Sequence, residues 1–172
     1  MNQLTGFLKS QTADVYNWTN KLIENIAFEK WVITPAIVET NLAWQLGHLT
    51  LSQYYYTVVL VTGPRKDFAE DINLKKYSGL FANGHRIKEL PPEITVQELI
   101  TNWNAVQMLT NEILSSLQDI DLAAGVFNLP KPHPFVKTKE QAVSWNIKHT
   151  MWHCGQIATL RRVIDVPFSF GM

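Results

Sequence analysis

Residues 138–164, TKEQAVSWNIKHTMWHCGQIATLRRVI, carry their own start signal. Thr138 with Gln141 three residues later forms a capping box, in which each side chain can satisfy a free backbone N–H of the first turn. Beyond it Trp145, His149, Trp152, Ile157 and Leu160 recur close to the helical period, and Pro167 follows, so a helix reaching about Ile164 is predicted. Within that helix His149 and His153 are four residues apart. Four residues advance about 6 Å and turn about 400°, so both imidazoles leave one face, one turn apart, at a separation that a transition metal can bridge. Two ligands rarely suffice, and His48, in the apolar stretch Trp44-Gln45-Leu46-Gly47-His48-Leu49, is the candidate third ligand from another helix. A histidine among apolar residues costs free energy unless its nitrogens find partners, and a shared metal would supply one.

Three further helices are read upstream. The first runs from about Leu4 to Ile26, with Leu4, Leu8, Val15, Trp18, Leu22 and Ile26 at intervals of three, four and seven. The second starts near Glu39-Thr40-Asn41, where Thr40 or Asn41 can cap, and continues to Val61 before Gly63-Pro64 stops it. The third opens at Thr95-Val96-Gln97-Glu98, another capping box, and carries Leu99, Trp103, Val106, Thr110, Ile113 and Leu117. The pattern predicts an all-α four-helix bundle forming a single domain over residues 1–172.

The connections constrain its topology. Residues 64–94, marked by Gly79, Gly84 and Pro91-Pro92, are far longer than the roughly 2–8 residues that antiparallel neighbours need. A crossover is expected, with helices two and three parallel. The connection 118–137 contains Leu129-Pro130-Lys131-Pro132-His133-Pro134, which cannot be regular helix and is expected to fold over one end of the bundle.

Composition excludes several classes of partner. Fifteen basic and fifteen acidic residues give a formal net charge of zero, so no global positive field holds nucleic acid and no polybasic tract seeks an anionic membrane. The longest largely apolar run, residues 54–62, falls far short of the roughly 20 residues that span a bilayer, and the N-terminus has no signal-peptide core. A cytoplasmic protein is expected, acting on a small-molecule substrate without nucleic-acid or membrane partners. A homodimer pairing through exposed aromatic faces is a further expectation. Cys154 is the only cysteine, which excludes an internal disulfide. It lies about 100° around the helix from His153 and reads as a small buried hydrophobe.

Three neutral imidazoles leave a bound divalent ion its full charge, so the open position would take an anion, and the nucleophile would be a metal-bound water or thiolate. Thr150 stands where a zincin metalloprotease carries its glutamate, which rejects that class. No acid lies one turn from any of the three histidines, which disfavours a di-iron bundle, although Asp14 or Glu24 of the first helix could reach the cavity. Trp44 and Trp145 are candidate pocket walls, and Asn146 and Gln156 are candidates to orient an imidazole or a bound ligand. Gly155 is read as a point of close helix packing, and Arg161 and Arg162 as complements to the helix dipole. His85 and His133 are read as loop histidines outside the site. A catalytically silent ligand-binding or interaction module, or a structural metal pinning two helices, would also use such ligands.

The stretch from Asn146 to Arg162, with His149-Thr150-Met151-Trp152-His153 at its centre, resembles the C-terminal signature of the DinB superfamily, and Trp44-Gln45-Leu46-Gly47-His48-Leu49 resembles its second-helix motif. The likeness in order and spacing extends over nearly the whole chain. It implies a four-helix bundle with an up-down-down-up course, and it carries the family's three metal ligands onto His48, His149 and His153. The helical pair and the third histidine are expected to hold one divalent transition metal, nickel, zinc, iron or manganese. Better-defined members include thiol-S-transferases using low-molecular-weight thiols such as bacillithiol, mycothiol-dependent isomerases and some hydrolases. The resemblance therefore points to a metal-dependent enzyme with a small thiol cosubstrate, or to a hydrolase using a metal-bound hydroxide.

Overall fold

Asn41 and Thr138 fix the starts of the two helices that carry the histidines. In the computed structural model, which describes residues 3–84 and 90–171, α1 spans Gln3–Ile23 and a 3-10 turn follows at Phe28–Lys30. The first helix is shorter than its periodicity suggests. Asn25 adopts a left-handed φ of 60°, which ends the helix before Ile26, although Ile26 stays in the core. α2, Leu42–Gln53, is capped by Asn41, whose side chain accepts from the Trp44 N–H at 2.9 Å. The same rod continues as a π-helical segment, Tyr54–Val59, and a last turn, α3, Leu60–Thr62, before Gly63 at φ 92° ends it.

The expected plain crossover contains two helices of its own, α4 (Lys66–Asp71) and α5 (Leu74–Phe81). Leu74, Tyr77 and Phe81 of α5 are all buried, and the helix lies along α2. α6 spans Val96–Ser116, where the Thr95 hydroxyl accepts from the Glu98 N–H at 3.0 Å, one half of the expected box. In the second connection α7 covers Asp119–Ala123. α8, Lys139–Ile164, starts with the full reciprocal box of Thr138 and Gln141.

Hydrogen bonds between the long helices set their directions. Thr5 at the start of α1 binds Asp119 beyond the end of α6 at 2.7–2.8 Å, whereas Asn20 near the end of α1 accepts from Trp103 early in α6 at 2.8 Å, so these two run oppositely. Thr19 meets Cys154 at 3.3 Å and the Leu22 carbonyl accepts from Arg161 at 2.9 Å, so α1 and α8 run together. Gln45 pairs with Gln156 and Gln53 with Asn146, so α2 and α8 are antiparallel. The histidines of α2 and α8 can therefore meet at one level.

Trp103, fully buried, packs edge-on against Tyr16 with ring centroids 5.5 Å apart, in a core shared by all four long helices. Burying an aromatic of this size is among the larger single contributions to such a core. Close packing also occurs at Gly47. A Cβ there would lie 2.5 Å from the Phe81 ring, so only glycine lets α5 approach α2 this closely. Gly155, read from sequence as a packing glycine, is exposed with nothing within 4 Å of a built Cβ. Arg161 and Arg162 lie in the last turn of α8, and Arg161 also serves the end of α1, through the Lys21 and Leu22 carbonyls. Among the described residues no helix is long and apolar enough to cross a membrane.

The 118–137 connection closes on the helices flanking it. Val126 N–H binds the Lys137 carbonyl at 3.0 Å, Lys139 N–H binds the Ala124 carbonyl at 3.0 Å, and Phe127 N–H binds the carbonyl of Leu60, the first residue of α3, at 2.8 Å. These bonds seat His133 and Phe135 against Tyr56 and Trp145.

Candidate metal centre

His48 of α2 and His149 and His153 of α8 come together as one group whose ligating atoms all lie within 4.8 Å of one another. Nε2 of His149 is 3.4 Å from Nε2 of His48 and 3.2 Å from Nε2 of His153. His48 and His153 are 9% and 6% exposed, so both rings are largely withdrawn from bulk solvent.

The protons on two of these rings are placed by their outer partners. Nδ1 of His48 donates to the Phe81 carbonyl at 2.8 Å, which leaves a lone pair on its Nε2. Nδ1 of His153 meets Oε1 of Gln45 in a short contact. The Gln45 amide is itself oriented, because its N–H2 group donates to Gln156 Oε1 at 2.8 Å and to Thr40 Oγ1 at 3.0 Å. Its oxygen must then face His153, whose Nδ1 carries the proton and whose Nε2 is a free lone pair. Gly47 belongs to the same device, since the approach it allows brings the Phe81 carbonyl to His48.

That arrangement fits a cation. A proton on Nε2 of His149 could satisfy one neighbouring lone pair, and the Ser52 hydroxyl, 3.4 Å from Nε2 of His48, is the other donor within reach, whereas a single metal ion accepts all three imidazole lone pairs. Nδ1 of His149 is buried with no hydrogen-bond partner among the described residues. Burial, reinforced by the neighbouring imidazoles, lowers His149 to about 4 and His153 to about 3. His48 is also lowered by burial, against the opposing pull of the Phe81 carbonyl. All three are therefore neutral near pH 7, the form that ligates metal.

The imidazoles open onto a cavity of about 860 Å³ walled by Trp44, Leu51, Tyr55, Tyr56, Trp145 and Trp152, among others. Trp44 stacks on His48 at 4.7 Å and 9°, so the sequence-selected tryptophan touches a proposed ligand as well as lining the cavity. Trp145 lines it too, edge-on to Trp152 at 5.4 Å. Gln156 reaches His153 only through Gln45. Asn146 is turned away from the imidazoles, donating to Gln53 Oε1 at 2.5 Å in a buried network with Thr57 and Thr110. Asp14 of α1 and Glu24 just beyond its end do not line the cavity, and no carboxylate does among the described residues. Cys154 is buried against Thr19, with its thiol pushed up by burial. His133 is half-buried behind the cavity wall, and His85 lies outside the described residues.

Sequence reasoning passed over Gln45 and Phe81. Gln45 carried a signal, since it stands one turn before His48 on the same helix. The Phe81 carbonyl carried none, because a backbone oxygen has no residue type to mark it.

The sequence pattern of the DinB superfamily matches residues 11–157. Among solved structures, the chain is similar to a conserved protein from Enterococcus faecalis, with a TM-score of 0.68, 14% identity, and 95% of this chain and 98% of that chain covered. At that identity the likeness concerns the fold. No curated protein matches the chain.

Proposed function

The chain belongs to the DinB superfamily, and from that premise we propose that it is a metal-dependent enzyme of the thiol-S-transferase kind, joining a small thiol to an apolar acceptor beside a divalent ion held by His48, His149 and His153. The observation that carries this reading is the meeting of three neutral imidazoles at a cavity whose described wall holds no carboxylate. With its three imidazoles taken up as ligands, the described wall has no carboxylate left to deprotonate a nucleophile. A bound ion supplies that function as a Lewis acid, favouring the deprotonated form of a thiol that would otherwise be mostly protonated at neutral pH.

The protein's own part is positional. Phe81 and Gln45 hold two rings with their ligating nitrogens turned inward. Trp44, Leu51 and Trp145 give the acceptor an apolar bed and limit water beside the reacting atoms. Nickel, zinc and iron suit imidazole ligands, whereas manganese favours oxygen donors and fits the three rings least well of the four.

The metal-loaded chain, assayed with electrophiles and bacillithiol-like or other small thiols, is expected to form conjugates in a thiol-dependent reaction that stops on chelation. Esters and amides without thiol form the parallel arm. Metal-dependent turnover in that arm alone, with no conjugate and no acceleration by any thiol, would replace the transferase reading with a hydrolase.

A further inference from the structure

Three consecutive tyrosines, Tyr54, Tyr55 and Tyr56, open the π-helical segment, and all three line the cavity that holds the imidazoles. Local π-helical widening is frequent where a helix serves a site. Their hydroxyls are not equivalent. Tyr54 donates to the Arg65 carbonyl at 3.1 Å and accepts from the Arg65 N–H at 2.9 Å, so its hydroxyl is fully committed to the backbone. Tyr56, whose ring centroid is 6.3 Å from that of His149, has its oxygen 3.3 Å from Nε2 of His133.

The proton in that contact can be assigned. Nδ1 of His133 accepts the backbone N–H of Val136 at 3.1 Å and lies 3.5 Å from that of Phe135, so this nitrogen turns a lone pair to the backbone and carries no proton. A neutral imidazole has one N–H, which is then on Nε2, and the Tyr56 oxygen is its acceptor. The ring is held in place by Phe135, edge-on at 4.5 Å, and Phe135 packs in turn on Trp145 at 4.6 Å. Tyr56 thus receives a hydrogen bond from His133 and has no protein acceptor for its own O–H among the described residues.

We propose that Tyr56 donates a hydrogen bond to an oxygen of the ligand bound in this cavity, and that His133 is the positioning residue that fixes the phenol for it. The proposal rests on the cavity being the substrate site. It narrows the substrate to a molecule with an acceptor oxygen, such as a carbonyl, beside an apolar body. Apart from the three imidazoles, the titratable groups on the described wall are the three tyrosines, so no carboxylic acid or ammonium competes for the donor's role.

Benzohydroxamate is a suitable probe, since its ring suits the aromatic walls and its oxygens suit both a cation and a phenol donor. It would be titrated calorimetrically into the zinc-loaded full chain, with zinc content measured first on every protein. Tyr56→Phe, which keeps the ring, is expected to lose about three- to tenfold in affinity, the worth of one hydrogen bond, with zinc content unchanged. His133→Ala should show a comparable loss, and His133→Gln, which retains an N–H at similar reach, should recover most of it. Imidazole nitrogen NMR of the metal-free chain should place the His133 proton on Nε2, with a resonance that shifts in Tyr56→Phe. Retained zinc with unchanged hydroxamate affinity in Tyr56→Phe would overturn the proposal. So would no hydroxamate binding to the zinc-loaded wild type, or a proton on Nδ1 of His133. A wild-type chain that takes up no zinc would be titrated with whichever of nickel, iron or manganese it binds; if it binds none of the four, the three-imidazole reading fails and the NMR result alone decides the His133–Tyr56 pairing.

Discussion

Replacing Gln45 by Leu is expected to weaken divalent-metal binding by about 10- to 100-fold, although Gln45 itself contributes no ligating atom. Its Oε1 accepts the Nδ1–H of His153, and its amide N–H2 is occupied by Gln156 and Thr40. Leucine has nearly the same volume, so the fully buried position can remain filled. What is lost is the acceptor that keeps the His153 proton on Nδ1 and its lone pair turned toward His149. Chelator competition would measure the affinity and thermal melting would report the fold. Undiminished affinity would mean that the Gln45 contact has no part in preparing the ligand.

Acidification from pH 7.5 to 4.5 is expected to lower the melting temperature of the metal-free protein by several degrees, with a smaller drop in the His149→Ala/His153→Ala variant. The sign follows from proton linkage. In the unfolded chain both histidines take up protons as the pH falls through about 6.5. In the folded chain burial delays this to about 4 for His149 and about 3 for His153. Between those limits the unfolded state binds more protons, so stability falls with falling pH. Asp119 and Asp165, held below the usual carboxylate range by Thr5 and Lys30 respectively, lose their contributions only at lower pH and do not mimic the effect. An identical pH dependence in the double variant would mean that these imidazoles are not buried in their neutral form.

The starts of α2, α6 and α8 and the stop at Gly63 were legible because their signals are local, whereas the end of α1 was placed about three residues too late. Thr138 with Gln141, Asn41 before α2 and Gly63 after Thr62 act within one turn of where they stand. The i,i+4 pair His149/His153 is local in the same sense, and the placement of His48 beside it required only that α2 and α8 pack. The short helices of the crossover were missed for want of length. α4 has 6 residues and α5 has 8, so neither shows enough turns for a period to stand out, although Leu74, Tyr77 and Phe81 do mark a buried face. The change to π geometry at Tyr54 has no residue signature in YYYTVV.

What fixes the site chemically is mostly long-range. Phe81 is 33 residues from His48, and Gln45 is 108 from His153. His133 reaches Tyr56 across 77 residues. Such pairings arise from packing rather than from any neighbouring motif. His133, flanked by two prolines, reads as a loop residue until Val136 and Tyr56 are seen on its two nitrogens.

The central claim is that His48, His149 and His153 hold one divalent ion, and equilibrium metal binding tests it most directly. The full chain and the His149→Ala/His153→Ala variant would be stripped with chelator, reconstituted separately with nickel, zinc, iron and manganese, and analysed for bound metal. The account predicts one ion per wild-type chain for at least one of these metals and almost none for the variant, with the helical fold retained in both. Equal stoichiometry in the two proteins, or no uptake of any of the four metals by the folded wild type, would contradict it.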